Sequence, residues 1–169
     1  MLQRAATGLA ALFIAACASV PLPQLAGVPA DFEVSGRIAV RLGDRSDIAK
    51  LRWTRRGPND SWILASPLGN EVARLESSAG GATLVRAGAA SESAGSFQEL
   101  TERLLGVPLD PNEMAGWLHG AVPSAAGDWK VSIEQMQRAG NVDLAKRITA
   151  TRGDVVVRLI VDEYRALGE

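Results

Sequence analysis

FEVSGRIAVRL, residues 32–42, alternates almost without a break. Phe32, Val34, Ile38, Val40 and Leu42 fall on one side of an extended chain, and Glu33, Ser35, Arg37 and Arg41 on the other. Successive side chains of a strand point to opposite faces, so this period of two predicts a long strand with one face turned from water. Residues 47–54 repeat it, with Ala49, Leu51 and Trp53 opposite Lys50, Arg52 and Thr54, and Gly43-Asp44 marks the turn between. Further strands are expected at 61–66, 71–77 and 83–86. They are separated by Gly57-Pro58-Asn59-Asp60, Pro67-Leu68-Gly69-Asn70 and Gly80-Gly81. This is the pattern of an antiparallel meander.

Two helices interrupt it. Ser96 followed by Glu99 is a capping box, Phe97, Leu100, Leu104 and Leu105 form an apolar stripe, and Gly106 is the stop. Asp110, Pro111 and Glu113 open a second helix, which carries Met114, Trp117 and Leu118 and is expected to end at Gly120. Strands resume at 129–135, 143–151 and 154–164, with Gly140-Asn141 as a turn. The expected fold is α+β, mainly β. A sheet of about eight or nine strands curls, and two amphipathic helices must bury their apolar stripes against it. The product is an incompletely closed antiparallel β-barrel plugged by helices on its concave side.

Upstream, Arg4 precedes residues 5–16, an uncharged and mostly apolar run. It is shorter than the roughly 20 residues of a spanning helix and fits the about 7–15 residues of a signal core. The tetrapeptide Ile14-Ala15-Ala16-Cys17 resembles the lipobox of bacterial lipoproteins. That resemblance implies cleavage after residue 16, a diacylglyceryl group on the sulfur of Cys17 and an acylated new amino terminus. Three acyl chains exceed the two-signal threshold for stable anchoring. Ala18 stands where inner-membrane lipoproteins usually carry a retaining Asp, which implies the periplasmic face of an outer membrane. The domains expected are therefore a signal peptide at 1–16, a lipidated terminus and Pro-containing tether at 17–30, and one folded domain at 31–169.

Composition excludes much chemistry. The formal net charge is −1, so nothing points to nucleic acid. Cys17 is the one cysteine, and once lipidated it leaves no thiol for a disulfide. His119 is the one histidine, which rules out HExxH, and no GxSxG, Walker A loop or CxxC occurs. Beside a helix-ending glycine, His119 reads as a partner for terminal carbonyls. Asp110 and Glu113 read as helix-start residues. No catalytic residue, metal or cofactor is expected. Seven basic residues (Arg37, Arg41, Arg45, Lys50, Arg52, Arg55 and Arg56) stand against Asp44 and Asp47 in one segment. Such a stripe either is the solvated face of a sheet or steers an acidic partner or anionic headgroups.

The order Ser35-Gly36-Arg37-Ile38-Ala39-Val40, Trp53, Ser66-Pro67-Leu68-Gly69 and Trp117-Leu118-His119-Gly120, behind a lipobox, resembles the outer-membrane lipoprotein receptor family, LolB. The resemblance spans nearly all of the mature chain and is weakest from 121 to 143, where this chain is short. It implies a helical lid over an apolar cavity for acyl chains. It also implies a receptor that takes lipoproteins from a soluble periplasmic carrier (LolA-like) and inserts them into the inner leaflet of the outer membrane. The expected partners are that carrier, the acyl chains and the membrane lipids, and a monomer is expected to suffice. The task has a physical basis, since each exposed methylene costs about 0.8 kcal/mol and a bare triacyl group costs tens of kcal/mol in water. With no nucleotide site, transfer must run downhill in affinity.

Candidate cavity residues are Val34, Ile38, Val40, Leu51 and Trp53 from the sheet and Leu100, Leu104, Met114, Trp117 and Leu118 from the lid, each of which is also an ordinary core residue. Trp53 and Trp117 lead because large aromatic surfaces dominate apolar contacts. Leu68, between Pro67 and Gly69, sits at a turn tip where polar residues are ordinary. The resemblance places it at the family's protruding membrane-insertion loop. Two readings compete with a receptor: a structural lipoprotein subunit of an outer-membrane assembly complex, and a lipoprotein enzyme.

Overall fold

The structure is a computed structural model and describes residues 29–121 and 128–168. Cys17, the signal segment and most of the tether lie outside the described residues. Nine strands form one antiparallel sheet: β1 (Phe32–Leu42), β2 (Arg45–Arg56), β3 (Asn59–Ala65), β4 (Glu71–Ser78), β5 (Gly81–Arg86), β6 (Glu92–Ala94), β7 (Lys130–Ala139), β8 (Val142–Arg152) and β9 (Val155–Ala166). Their spatial order is β6-β5-β4-β3-β2-β1-β9-β8-β7. Every pair of chain neighbours is a pair of sheet neighbours except β6 and β7, and one further pairing joins the first strand to the last. β9 closes onto β1, and β6 and β7 remain at opposite edges.

That exception places the helices. The chain must travel from one edge of the sheet to the other, a width of about 38 Å if flat at 4.8 Å per strand. It does so through α1 (Phe97–Leu105) and α2 (Pro111–Leu118). α1 packs on β4, β5 and β6, and α2 on β8. The result is an open antiparallel half-barrel with a helical lid. The alternation that marks β1 is what feeds this face: Phe32, Val34, Ile38 and Val40 are buried, as are Leu51, Trp53, Trp62, Leu64, Leu75 and Leu84 from the strands beside it.

Gly36 makes the β1–β9 seam possible. A β-bulge falls between Ser35 and Gly36, and a Cβ at Gly36 would lie 2.0 Å from the Ile160 carbonyl oxygen. No other residue fits there without moving the strand. Both helix starts match the sequence: Ser96 accepts from Glu99 N, and Asp110 accepts from Asn112 N. α2 ends one turn position early, at Leu118, because His119 is its C-cap.

Three boundaries depart from expectation. Asn59 and Asp60 are strand, not turn, because only Gly57-Pro58 is needed to join β2 to β3. β6 is a three-residue edge strand too short to show a period. β7 runs to Ala139, past the expected end at 135, with bulges that break its alternation.

Candidate functional site

The hairpin loop between β3 and β4 is built as a tight turn. Gly69 N–H donates to Ser66 O at 2.8 Å, which makes Ser66-Pro67-Leu68-Gly69 a β-turn. Leu68 has no positive φ, and Gly69 stands at φ +97°. Serine first, proline second and glycine last is the composition that a type I turn favours. Ser66 closes the loop again, with its N–H on Asn70 O at 2.8 Å and its hydroxyl oxygen accepting from Asn70 N at 3.3 Å. Leu68 is therefore held out by backbone bonds, and it is 90% exposed.

The two flanks of this loop are walls of an apolar cleft. Leu64 precedes it and Val72 follows it, and both line a cleft of about 200 Å³ with Ile38, Val40, Ile48, Ala49, Ala73, Leu104 and Leu105. The cleft opens beneath the C-terminal end of α1. Ile48 is 64% exposed and Val72 43%, and Asp47, paired with Arg45, is the one charged residue of an otherwise apolar lining. A larger groove of about 850 Å³ runs over the opposite face, where Arg37, Lys50, Arg52, Arg74, Glu71, Asp162 and Glu163 surround Leu51, Ile63 and Ala65 with charged groups.

Among the ten cavity candidates, Ile38, Val40 and Leu104 line the cleft. The other seven, Val34, Leu51, Trp53, Leu100, Met114, Trp117 and Leu118, are packed into the core at 0–3% exposure. A cleft of 200 Å³ is smaller than the roughly 300–1,000 Å³ that encloses a drug-sized ligand. The core is thus filled around this cleft, and a second opening of about 370 Å³ lies at the α2 end, lined by Phe32, Ala115, Gly116 and His119 among others.

Trp53 has a polar task as well. Its Nε1 donates to Asp60 at 2.6 Å, and Arg55 grips the same carboxylate with Nε and a terminal nitrogen at 3.0 and 2.9 Å. Arg55 then donates to Asn112 of α2 at 2.7 Å. This network ties the lid to the sheet, and the charge stripe is reduced by it. Arg55 is turned inward and paired, Arg45 pairs with Asp47 and Arg37 with Asp162, which leaves Arg41, Lys50, Arg52 and Arg56 as the cations of that segment without a carboxylate within 4 Å among the described residues.

At the other end of α2, His119 is 2% exposed. Its Nδ1 meets Ala115 O at 2.8 Å, which fixes the proton there, so Nε2 accepts from the Tyr164 hydroxyl at 3.0 Å. Burial, opposed by the Ala115 bond and aided by the charge of Arg55, holds His119 below the usual imidazole range. Burial pushes Tyr164 up to about 12. Burial first, then the charge of Asp110, raises Glu113. Among the described residues no group of three or more potential metal ligands occurs, and no helix is long and apolar enough to cross a membrane.

The sequence reading missed Asp60, Asn112, Ile48 and Val72. Asp60 was masked by its turn-like neighbours. Ile48 had a signal, an apolar side chain amid Lys50 and Arg52 on the polar side of its strand.

Known proteins share this plan. A DUF1329-family protein from Desulfovibrio piger has the same fold at a TM-score of 0.57, covering 86% of this chain and 89% of that one at 7% identity. The outer-membrane lipoprotein LolB of Chromobacterium violaceum is 28% identical over 182 residues, covering 98% of this chain and all of that protein. That of Bordetella petrii is 31% identical, covering 79% of this chain and 69% of that protein. The family model described as outer membrane lipoprotein LolB matches residues 30–128, which takes in β1 to β6, the Leu68 turn and both lid helices. The half-barrel with its protruding leucine turn thus belongs to the LolB family.

Proposed function

We propose that this protein is an outer-membrane lipoprotein receptor, anchored through acylated Cys17 at the periplasmic face. It accepts lipoproteins from a soluble LolA-like carrier and inserts them into the inner leaflet. The observation that carries this reading is the junction of two features: Leu64 and Val72 wall the apolar cleft and also flank the turn that projects Leu68. A chain leaving the cleft emerges beside a leucine that is almost wholly exposed. Acyl chains exceed the cleft, so loading requires α1 to move away from β1–β4 and the core beneath to repack. Repacking exchanges one apolar contact for another, which costs little because apolar attraction has no direction.

The dense core supports a second reading, a structural lipoprotein with no acyl site. A fluorescent fatty-acyl probe separates the two. The chain from residue 17 onward with Cys17→Ala should bind the probe saturably, and absence of binding would remove the receptor reading. Leu68→Glu should leave thermal stability and probe binding nearly unchanged, because a 90% exposed side chain contributes little to folding. Delivery of a lipoprotein into vesicles should drop several-fold. Loss of folding in parallel with delivery would defeat the assignment of the turn.

A further inference from the structure

Trp62 stands in the aromatic row of the concave face. It is fully buried, edge-on to Trp53 at 5.7 Å and to the Phe97 ring of α1 at 5.0 Å, and it pairs with Leu75 on β4. Its indole Nε1–H has no acceptor among the described residues. The contrast with Trp53 is direct. On the neighbouring strand and the same face, Trp53 is given Asp60 as a partner, and Trp62 is given none. An unmet buried donor costs about 1–3 kcal/mol, and such a group in a folded protein needs a reason. Phenylalanine would fill most of the same space and leave no donor unmet.

We infer that the Trp62 indole N–H is a polar subsite for the ester carbonyl of a diacylglyceryl group. The inference rests on the receptor reading above. Leu64, a wall of the cleft, lies one same-face step along β3 from Trp62, about 7 Å of strand. Phe97 covers the indole from α1, so a chain that lifts α1 uncovers the donor. The guest supplies what the site lacks. Its tails carry no polar atoms, and its ester linkages carry carbonyl acceptors. An indole donates and cannot accept, and it carries no charge to desolvate, which suits an uncharged carbonyl in an apolar site. The bond sets how far the head of the lipid enters, and tails of different length then seat from one reference point. Trp117 Nε1 in α2 is also without an acceptor among the described residues, but Trp62 is the indole beside the cleft wall and it alone carries the inference.

Two peptides test it: one bearing a dipalmitoylglyceryl cysteine, with two esters, and its dihexadecyl ether analogue of equal chain length. The ether is the more apolar, so a site without a donor binds it at least as tightly. The Cys17→Ala chain should instead prefer the ester by roughly threefold to tenfold. Trp62→Phe should abolish that preference while keeping affinity for the ether. A ¹³C-labelled ester carbonyl bound to the protein with Trp62 intact should absorb at lower frequency than in an alkane, a readout that survives if Trp62→Phe fails to fold. Equal affinity for ester and ether, an unshifted carbonyl band, or a preference that persists in Trp62→Phe overturns the subsite and leaves the receptor reading standing. Binding of neither peptide overturns the receptor reading itself.

Discussion

Where α2 meets the sheet, polar groups other than the Trp117 indole are matched: Asn112 takes the Arg55 guanidinium, Arg55 and Trp53 share Asp60, and His119 meets Tyr164. Where α1 ends, Leu104 and Leu105 face Ile38, Val40 and Leu64 across an open cleft. The polar bonds of α1 go mainly elsewhere. Thr101 holds Leu109 N and Gln98 holds Asp110, both within the lid, and among the described residues the sheet offers only the carbonyl of Ser93 to Arg103 at 3.4 Å. Matched polar groups fix geometry, because separating them leaves each one unsatisfied in a dry setting. Apolar contacts have no such direction and can be remade around a guest. One lid therefore has a fixed end and a yielding end, and the yielding end is beside the Leu68 turn.

The largest expected effect is at the fixed end. Asp60→Ala leaves the Arg55 charge and the Trp53 N–H without their shared acceptor, with side chains only 3% and 11% exposed in the ion pair. Urea unfolding should show a loss of about 3–5 kcal/mol. A loss below about 1 kcal/mol would mean that this end is not pinned. Thr101→Val keeps the shape and removes the partner of Leu109 N–H, with an expected cost of about 1–3 kcal/mol in the same assay. An unchanged midpoint would show that the lid does not depend on that bond.

A smaller effect is expected from pH. His119 is depressed in the folded chain, chiefly by burial, and it faces Tyr164 and the Arg55 charge. The unfolded chain takes up a proton near the ordinary 6.5 and the folded chain does so only at lower pH. His119 therefore contributes stability in full above that value, and the contribution is lost as pH falls through the folded value. His119→Gln should flatten this part of the stability profile, and an identical slope in both proteins would exclude His119 as its source. The smallest change in stability belongs to the yielding end. Ile48→Ser, at 64% exposure, should alter stability by less than about 0.5 kcal/mol while weakening acyl-probe binding. Equal probe affinity would take Ile48 out of the mouth.

Much of this was legible in one dimension. The alternation of β1 and β2 named the buried face correctly because strand geometry forces side chains to opposite sides whatever lies around them. Ser96, Asp110 and Gly106 bounded the helices for an equally local reason, since a cap bonds within its own turn. The Ser66–Gly69 turn was legible too, as its bonds lie within four residues. The Arg55–Asn112 and His119–Tyr164 pairs were not, because they join positions 57 and 45 residues apart. Charge alone made Arg55 one more member of a basic stripe.

The chain by itself determined which residues turn inward, where helices start and which turn carries an exposed leucine, because each depends on neighbours within a few bonds. Only the tertiary structure decided that most of the inward face packs into a core while a cleft opens beneath the end of α1, that Trp53 has a buried acceptor and that Trp62 has none among the described residues. Those outcomes depend on how much volume and which polar atoms distant segments bring to the same place, and no local pattern encodes that sum.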